Sequence, residues 1–139
     1  MFEIWDPKEI NDEISTAVLA AVLSWCSATA FAGEIVAYDQ KIFDTLTTNG
    51  KPVVVVVHAA WCPTCKAQKP IQQGLMTEPK FKDYTMLTLD FDRDKTIMKA
   101  FDVAMQSTII VFKGHTEVGR SVEETNRESI AALMQKASN

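Results

Sequence analysis

Val53 to Lys66 read VVVVVHAAWCPTCK, and the organisation of the whole chain follows from these residues. The first part is five consecutive β-branched residues, apolar on both alternating faces. Such a run suits a strand covered on each side, as at the centre of an α/β sheet. The second part places Cys62 and Cys65 three residues apart, where a polar, helix-like pattern begins. At that spacing two side chains are neighbours on one helix face. The pair is a structural staple, a metal clip or a redox couple.

As a staple it is poor, because a bond between i and i+3 closes a very small loop and removes little unfolded-chain entropy. As a metal clip it supplies two ligands where a structural zinc site uses four. His58 and His115 are the only imidazoles in the chain, so metal capture stays open only as a secondary reading. The redox reading needs one sulfur at a helix N-terminus, where unpaired amides and the positive end of the macrodipole favour thiolate. Pro63 suits the first turn, since its missing N–H costs nothing there. Lowering a thiol from about 8.5 to about 7 takes roughly 2 kcal/mol, within reach of a helix terminus with added hydrogen bonds. On this reading Cys62 is the exposed nucleophile at the helix tip, and Cys65, one turn in, is the resolving thiol. Lys66 either adds positive charge or is simply a solvated lysine.

Outward from this centre the pattern alternates. Ile35–Ala37 reads as a short strand, and Asp39 as the N-cap of a helix over 41–48 that ends at Asn49-Gly50. Cys62 opens a helix to about Met76, with a bend expected at Pro70. Thr85–Asp90 is a strand and 95–101 a short helix. Thr108–Phe112 and Glu117–Val122 form a hairpin around Lys113-Gly114-His115-Thr116. Ile130, Leu133 and Met134 fall at helical spacing within a closing helix over 126–136. The order β-α-β-α-β-α-β-β-α predicts parallel pairing with an antiparallel edge from the late hairpin. Sites in such sheets gather at the carboxyl ends of strands, where Trp61-Cys62-Pro63-Thr64-Cys65 stands.

The chain has 139 residues and 47% hydrophobic content, enough for one domain. Residues 33–139 carry equal numbers of acidic and basic side chains, which gives no electrostatic grip on nucleic acid. No Walker or dinucleotide glycine pattern occurs, so no cofactor is expected. Residues 1–32 form a separate segment. Its first thirteen residues hold five acids and one lysine, and residues 14–32 are nineteen uncharged residues. The segment ends in Ala30-Phe31-Ala32 before Gly33, the small-x-small pattern of a signal-peptidase site. The acidic front end argues against both a secretory n-region and cytoplasmic retention. A cleaved export signal is the expectation, with an uncleaved anchor or a docked apolar helix as alternatives. Leu23-Ser24-Trp25-Cys26 is similar to a lipoprotein box, but bulky Trp25 argues against that use.

With hydrophobic strand, Trp61, Cys62-x-x-Cys65, Lys66 and Pro70 in this order, the segment resembles the active site of the thioredoxin superfamily. The resemblance extends over Gly33–Asn139, including Leu89-Asp90-Phe91-Asp92 and Thr108–Gly114. It implies thiol–disulfide exchange with protein substrates, and it places Trp61 partly exposed beside the disulfide rather than in the core. Three positions depart from the family. Val56 stands where the family has a buried Asp thought to serve the second cysteine, which leaves water or His58 for that proton. His58 is otherwise a solvent-facing strand end. Pro63-Thr64 lies between the cysteines instead of Gly-Pro, and this dipeptide tunes potentials over roughly −270 to −120 mV. Ser107 occupies the place of the family's cis-proline. A cis bond there would cost about 3 kcal/mol, so a trans bond is expected, with the Ser107 hydroxyl and amide offered to Cys62.

The resemblance thus implies a thioredoxin-like α/β fold with a central mixed sheet of four to five strands flanked by helices, preceded by an apolar N-terminal helix. Residues 33–139 are the domain, and 1–32 the signal peptide or membrane anchor. The expected catalytic pair is Cys62 and Cys65, with Trp61, Pro63, Thr64, Lys66, Ser107 and His58 as neighbours and no resident metal. The expected partners are protein disulfide substrates and a membrane or soluble electron donor. The expected location is periplasmic or otherwise exported, with the N-terminal segment contacting the membrane if retained. Trp61, Lys66 and the small size favour a reductant. The competing reading is a thioredoxin-fold module that binds metal or partners without turnover.

Overall fold

A computed structural model describes residues 32–138; the apolar helix expected within the N-terminal segment lies outside them. The described chain runs β1 (Glu34–Ala37), α1 (Gln40–Thr48), β2 (Pro52–His58), α2 (Pro63–Met76), a short 3-10 turn (Pro79–Phe81), β3 (Thr85–Asp90), α3 (Lys95–Ala100), β4 (Thr108–Lys113), β5 (Thr116–Val122) and α4 (Arg127–Gln135). The order matches the sequence reading, and element ends move by a residue or two, as capping residues do.

The five strands lie in the order β1-β3-β2-β4-β5, so the valine strand is central. Its alternation divides the interior in two. Val54 and Val56 face a core built with Leu75 and Met76 of α2 and Ile130, Leu133 and Met134 of α4. Val53, Val55 and Val57 face the opposite core, with Phe43 of α1, Met98 of α3, and Leu87 and Leu89 of β3. An apolar run with no polar face is what two covered faces demand.

Local chemistry fixes the helices. Asp39 accepts the amide of Ile42 at 2.9 Å at the start of α1, and Asn126 accepts that of Ser129 at 2.9 Å at the start of α4. Gly50, at φ +68°, turns the chain after α1. The helix α2 continues through Pro70.

Strict alternation predicted parallel pairing up to the hairpin, and here the structure differs. β1 and β3, and β2 and β3, are parallel. β4 runs antiparallel to β2, with Ile109 opposite Val56. β3 ends with Asp90 beside His58, and β4 begins at that same end of the sheet. The connection through α3 therefore stays at that end and does not return along a strand, which sets β4 antiparallel. Arg120 of β5 holds this connection in place, donating to the carbonyls of Phe101 at 2.9 Å and Asp102 at 3.3 Å.

Gly33 enters the sheet through a gap that admits no side chain. Its amide donates to Met76 O at 2.7 Å, and an added Cβ would lie 2.6 Å from Phe81 O and 2.9 Å from Tyr84 O. Both obstacles are backbone and cannot swing aside. Gly33→Ala is expected to lower stability by about 1–3 kcal/mol, read as a fall in the urea midpoint with an unchanged m-value.

Candidate active site

α2 begins at the carboxyl end of β2, and its N-cap is a sulfur. Cys62 has extended backbone geometry (φ −84°, ψ 113°), Pro63 takes the first helical position, and Cys62 Sγ accepts the amide of Cys65 at 3.1 Å. This is the bond that a serine or aspartate oxygen makes at an ordinary N-cap. Cys62 and Cys65 are joined in a disulfide, with Cα atoms 5.3 Å apart. On reduction the same amide and the positive helix end would face a Cys62 thiolate. Cys65 Sγ lies 4.0 Å from Val57 O.

One expectation is corrected by the geometry. Cys62, read as exposed, is only 1% accessible, and Cys65 is 7%. The sulfur of Cys62 turns inward to its bonded partner, and both cysteines pack with Ala59 against Phe91.

Trp61 is exposed (54%) and is not a core tryptophan. Its indole Nε1 donates to Asp92 at 3.0 Å, and its ring meets Phe91 edge-on at 6.2 Å. The Lys95 ammonium sits 4.1 Å from the Phe91 ring centre. The loop after β3 therefore holds the indole beside the disulfide at both its polar and apolar edges. Thr64 is half-buried, and Pro63 and Lys66 are exposed.

Ser107 is fully buried, and no cis peptide bond occurs among the described residues. Its φ is +57°, a left-handed conformation that costs a non-glycine residue roughly 1–2 kcal/mol. Its polar groups are not offered to Cys62. The amide donates to Val57 O at 2.9 Å, and the hydroxyl donates to Gln106 O at 2.6 Å. Its carbonyl accepts from Glu123 N at 3.1 Å and Gln68 Nε2 at 3.2 Å. The backbone turn consumes the donors before they reach the sulfur.

Gln68 was not anticipated. It is 2% exposed, and its amide also donates to Glu124 O at 2.8 Å. One side chain thus ties α2 to the Ser107 turn and to the segment after β5. A signal was present in the sequence, since Gln68 falls in the buried stripe Cys65, Gln68, Gln72, Leu75 of α2, where an unpaired amide would be costly.

The imidazoles stand apart. His58 ends β2 beside the disulfide, whereas His115 lies in the turn after Lys113, which pairs with Pro52 at the other end of β2. His115 Nε2 is 3.4 Å from Thr48 Oγ1. The two do not meet, and among the described residues no group of three His, Cys, Asp or Glu is placed to hold a metal.

The family model described as Thioredoxin matches residues 34–136. A thioredoxin of Mycobacterium bovis is 35% identical over 95 residues, 68% of this chain and 78% of that protein. A thioredoxin of Chlamydia muridarum is 34% identical over 84 residues, 60% of this chain and 80% of that protein. The crystal structure of Trxlp from Edwardsiella tarda superposes with a TM-score of 0.71 at 32% identity, covering 73% of this chain and 98% of that one.

The Ser107 turn can be tested directly. Ser107→Pro is expected to cost about 3 kcal/mol or more, because proline cannot reach φ +57° and removes the donor to Val57 O. Ser107→Gly should stay within about 1 kcal/mol of the parent. Gln68→Leu should cost about 1–3 kcal/mol by removing the side-chain donor to Glu124 O and one of the two donors to Ser107 O. Urea unfolding of the three variants gives the ranking.

Proposed function

The chain belongs to the thioredoxin family, and on that premise we propose that Cys62 and Cys65 carry its thiol–disulfide oxidoreductase activity. Cys62 is the attacking sulfur. Its thiolate adds to a sulfur of a protein disulfide, one substrate thiolate leaves, and a mixed disulfide forms. Cys65 then attacks Cys62 Sγ, the second substrate thiolate departs, and the internal disulfide closes. Two electrons have passed to the substrate. The observation that carries this assignment is the Cys65 amide aimed at Cys62 Sγ at the head of α2, with the two sulfurs bonded.

The direction proposed is reduction. Trp61 and Lys66 support it, as does the absence, among the described residues, of a helical domain inserted between the elements of the fold. Trp61, exposed next to Cys62 and held by Asp92, is the surface on which a substrate segment rests. The oxidised pair must then be reopened by a dithiol donor, membrane-bound or soluble. Because Cys62 is buried while bonded and packs against Phe91, that donor has to displace Phe91 to reach it.

Location follows from residues 14–32 and the Ala30-Phe31-Ala32 site. Cleavage there leaves Gly33 as the first residue, directly before β1, so the fold would lose none of its strands. The proposed compartment is periplasmic or otherwise exported. Among the described residues no helix is long and apolar enough to cross a membrane.

Cys62→Ser should lower insulin disulfide reduction on the order of a thousandfold or more, and Cys65→Ser should accumulate mixed disulfides on non-reducing gels. Retained turnover in Cys62→Ser removes the assignment. Expressed in a bacterium, the full chain should yield a periplasmic product whose N-terminal residue is Gly33. Uncleaved protein in the membrane fraction identifies an anchor instead, and uncleaved protein in the cytosol ends the export reading.

A further inference from the structure

Cys65 has to lose a proton before it can resolve a mixed disulfide, and its surroundings offer few takers. It is nearly buried. Val57 O, 4.0 Å away, can accept a hydrogen bond but cannot carry the proton off. Beside Cys65 lies a cavity of about 420 Å³ between α2 and the sheet, floored by Val56, Met86 and Thr88. A single water needs about 10–15 Å³ of such space, so a connected string of waters fits. Thr88, Gln72 and Gln73 give that water polar partners along the wall.

The titratable side chains lining this cavity besides Cys65 are His58, Lys66 and Lys69, with no carboxylate among them. The lysines of α2 are ammonium ions with no lone pair to receive a proton, though their charge favours an anion nearby. Alternation along β2 puts His58 on the same face as Val54 and Val56, the face that α2 covers. His58 is also exposed, so it bridges the cavity and solvent. From β3, Asp90 stands opposite His58 in register. Its carboxylate is taken up by the amides of Asp92 at 2.9 Å and Arg93 at 3.2 Å, which hold it below the usual range. From β1, the cavity meets only Ile35.

We propose that His58 receives the proton of Cys65 through water in this cavity. The inference rests on the reading in which Cys65 is the resolving thiol. The S–H bond breaks, the proton passes along water to the imidazole, and the electron pair stays on Cys65 Sγ. That pair forms the bond to Cys62 Sγ, the bond from Cys62 to the substrate breaks, and its electrons leave on the substrate sulfur. The imidazolium remains beside the cavity while the anion exists, then releases its proton to solvent. The imidazole ring offers a lone pair to take the proton and an N–H to pass one on.

The test separates the two chemical steps in the full chain, carrying Cys26→Ser so that only two thiols report. Reduced protein is mixed in a stopped-flow instrument with the aromatic disulfide 5,5′-dithiobis(2-nitrobenzoate). Attack by Cys62 releases one thionitrobenzoate, and displacement by Cys65 releases a second. His58→Gln should slow the second release about tenfold near pH 7 and leave the first unchanged. The difference should close above about pH 9.5, where hydroxide itself removes the proton. Added imidazole should restore the second release in His58→Ala, which a merely structural role would not allow. A second release unchanged near pH 7, or slowed equally at every pH and not restored by imidazole, overturns the proposal. A parent in which the second release is absent, or survives Cys65→Ser, refutes instead the reading of Cys65 as the resolving thiol.

Discussion

A sulfur caps a helix in this protein, and the arrangement depends on where that helix is made to start. The Cys65 amide reaches Cys62 Sγ at 3.1 Å only because α2 begins directly beyond the end of β2. β2 in turn is immobilised by burial on both faces. The alternating valines are therefore more than filler. By fixing the strand between two cores they fix the point at which the helix dipole and its unpaired amides are delivered. A looser strand would still carry the cysteines, but its helix end would not be held against one sulfur.

Hydrogen bonds in the same way hold the turn at Ser107. The Ser107 amide is tied to Val57, its carbonyl to Glu123 and Gln68, and its hydroxyl to Gln106. Together these hold a left-handed residue in a fully buried turn. The network joins the end of β2, the body of α2, the start of β4 and the segment after β5 around the disulfide. It gives the turn a donor that proline lacks. No carboxylate lines the cavity beside Cys65, where His58, Lys66 and Lys69 are the titratable side chains besides the thiol.

Much of this was legible in the residues. Five valines can only be a doubly covered strand, Asp39 and Asn126 announce helix starts, and Cys62-Pro63-Thr64-Cys65 after such a strand has one economical use. What was misread depended on distance in three dimensions. The antiparallel entry of β4 follows from the end of the sheet at which the connection from β3 delivers it, and strand-helix alternation does not encode that. Gln68 looked like one more polar helix residue until its stripe proved buried. Cys62 was read as exposed because a helix tip usually is, but the loop after β3 brings Phe91 over it.

The sequence by itself determined the central strand, the helix beginning at the cysteines and the order of elements, because these rest on local propensity and on periodicity along the chain. Only the tertiary structure decided which carbonyls Gln68 satisfies, where the Ser107 donors go, and that His58 and Cys65 share one cavity while His115 sits at the far end of the sheet. Those outcomes are set by contacts between residues up to 56 positions apart, and such contacts leave no period in the sequence that specifies them.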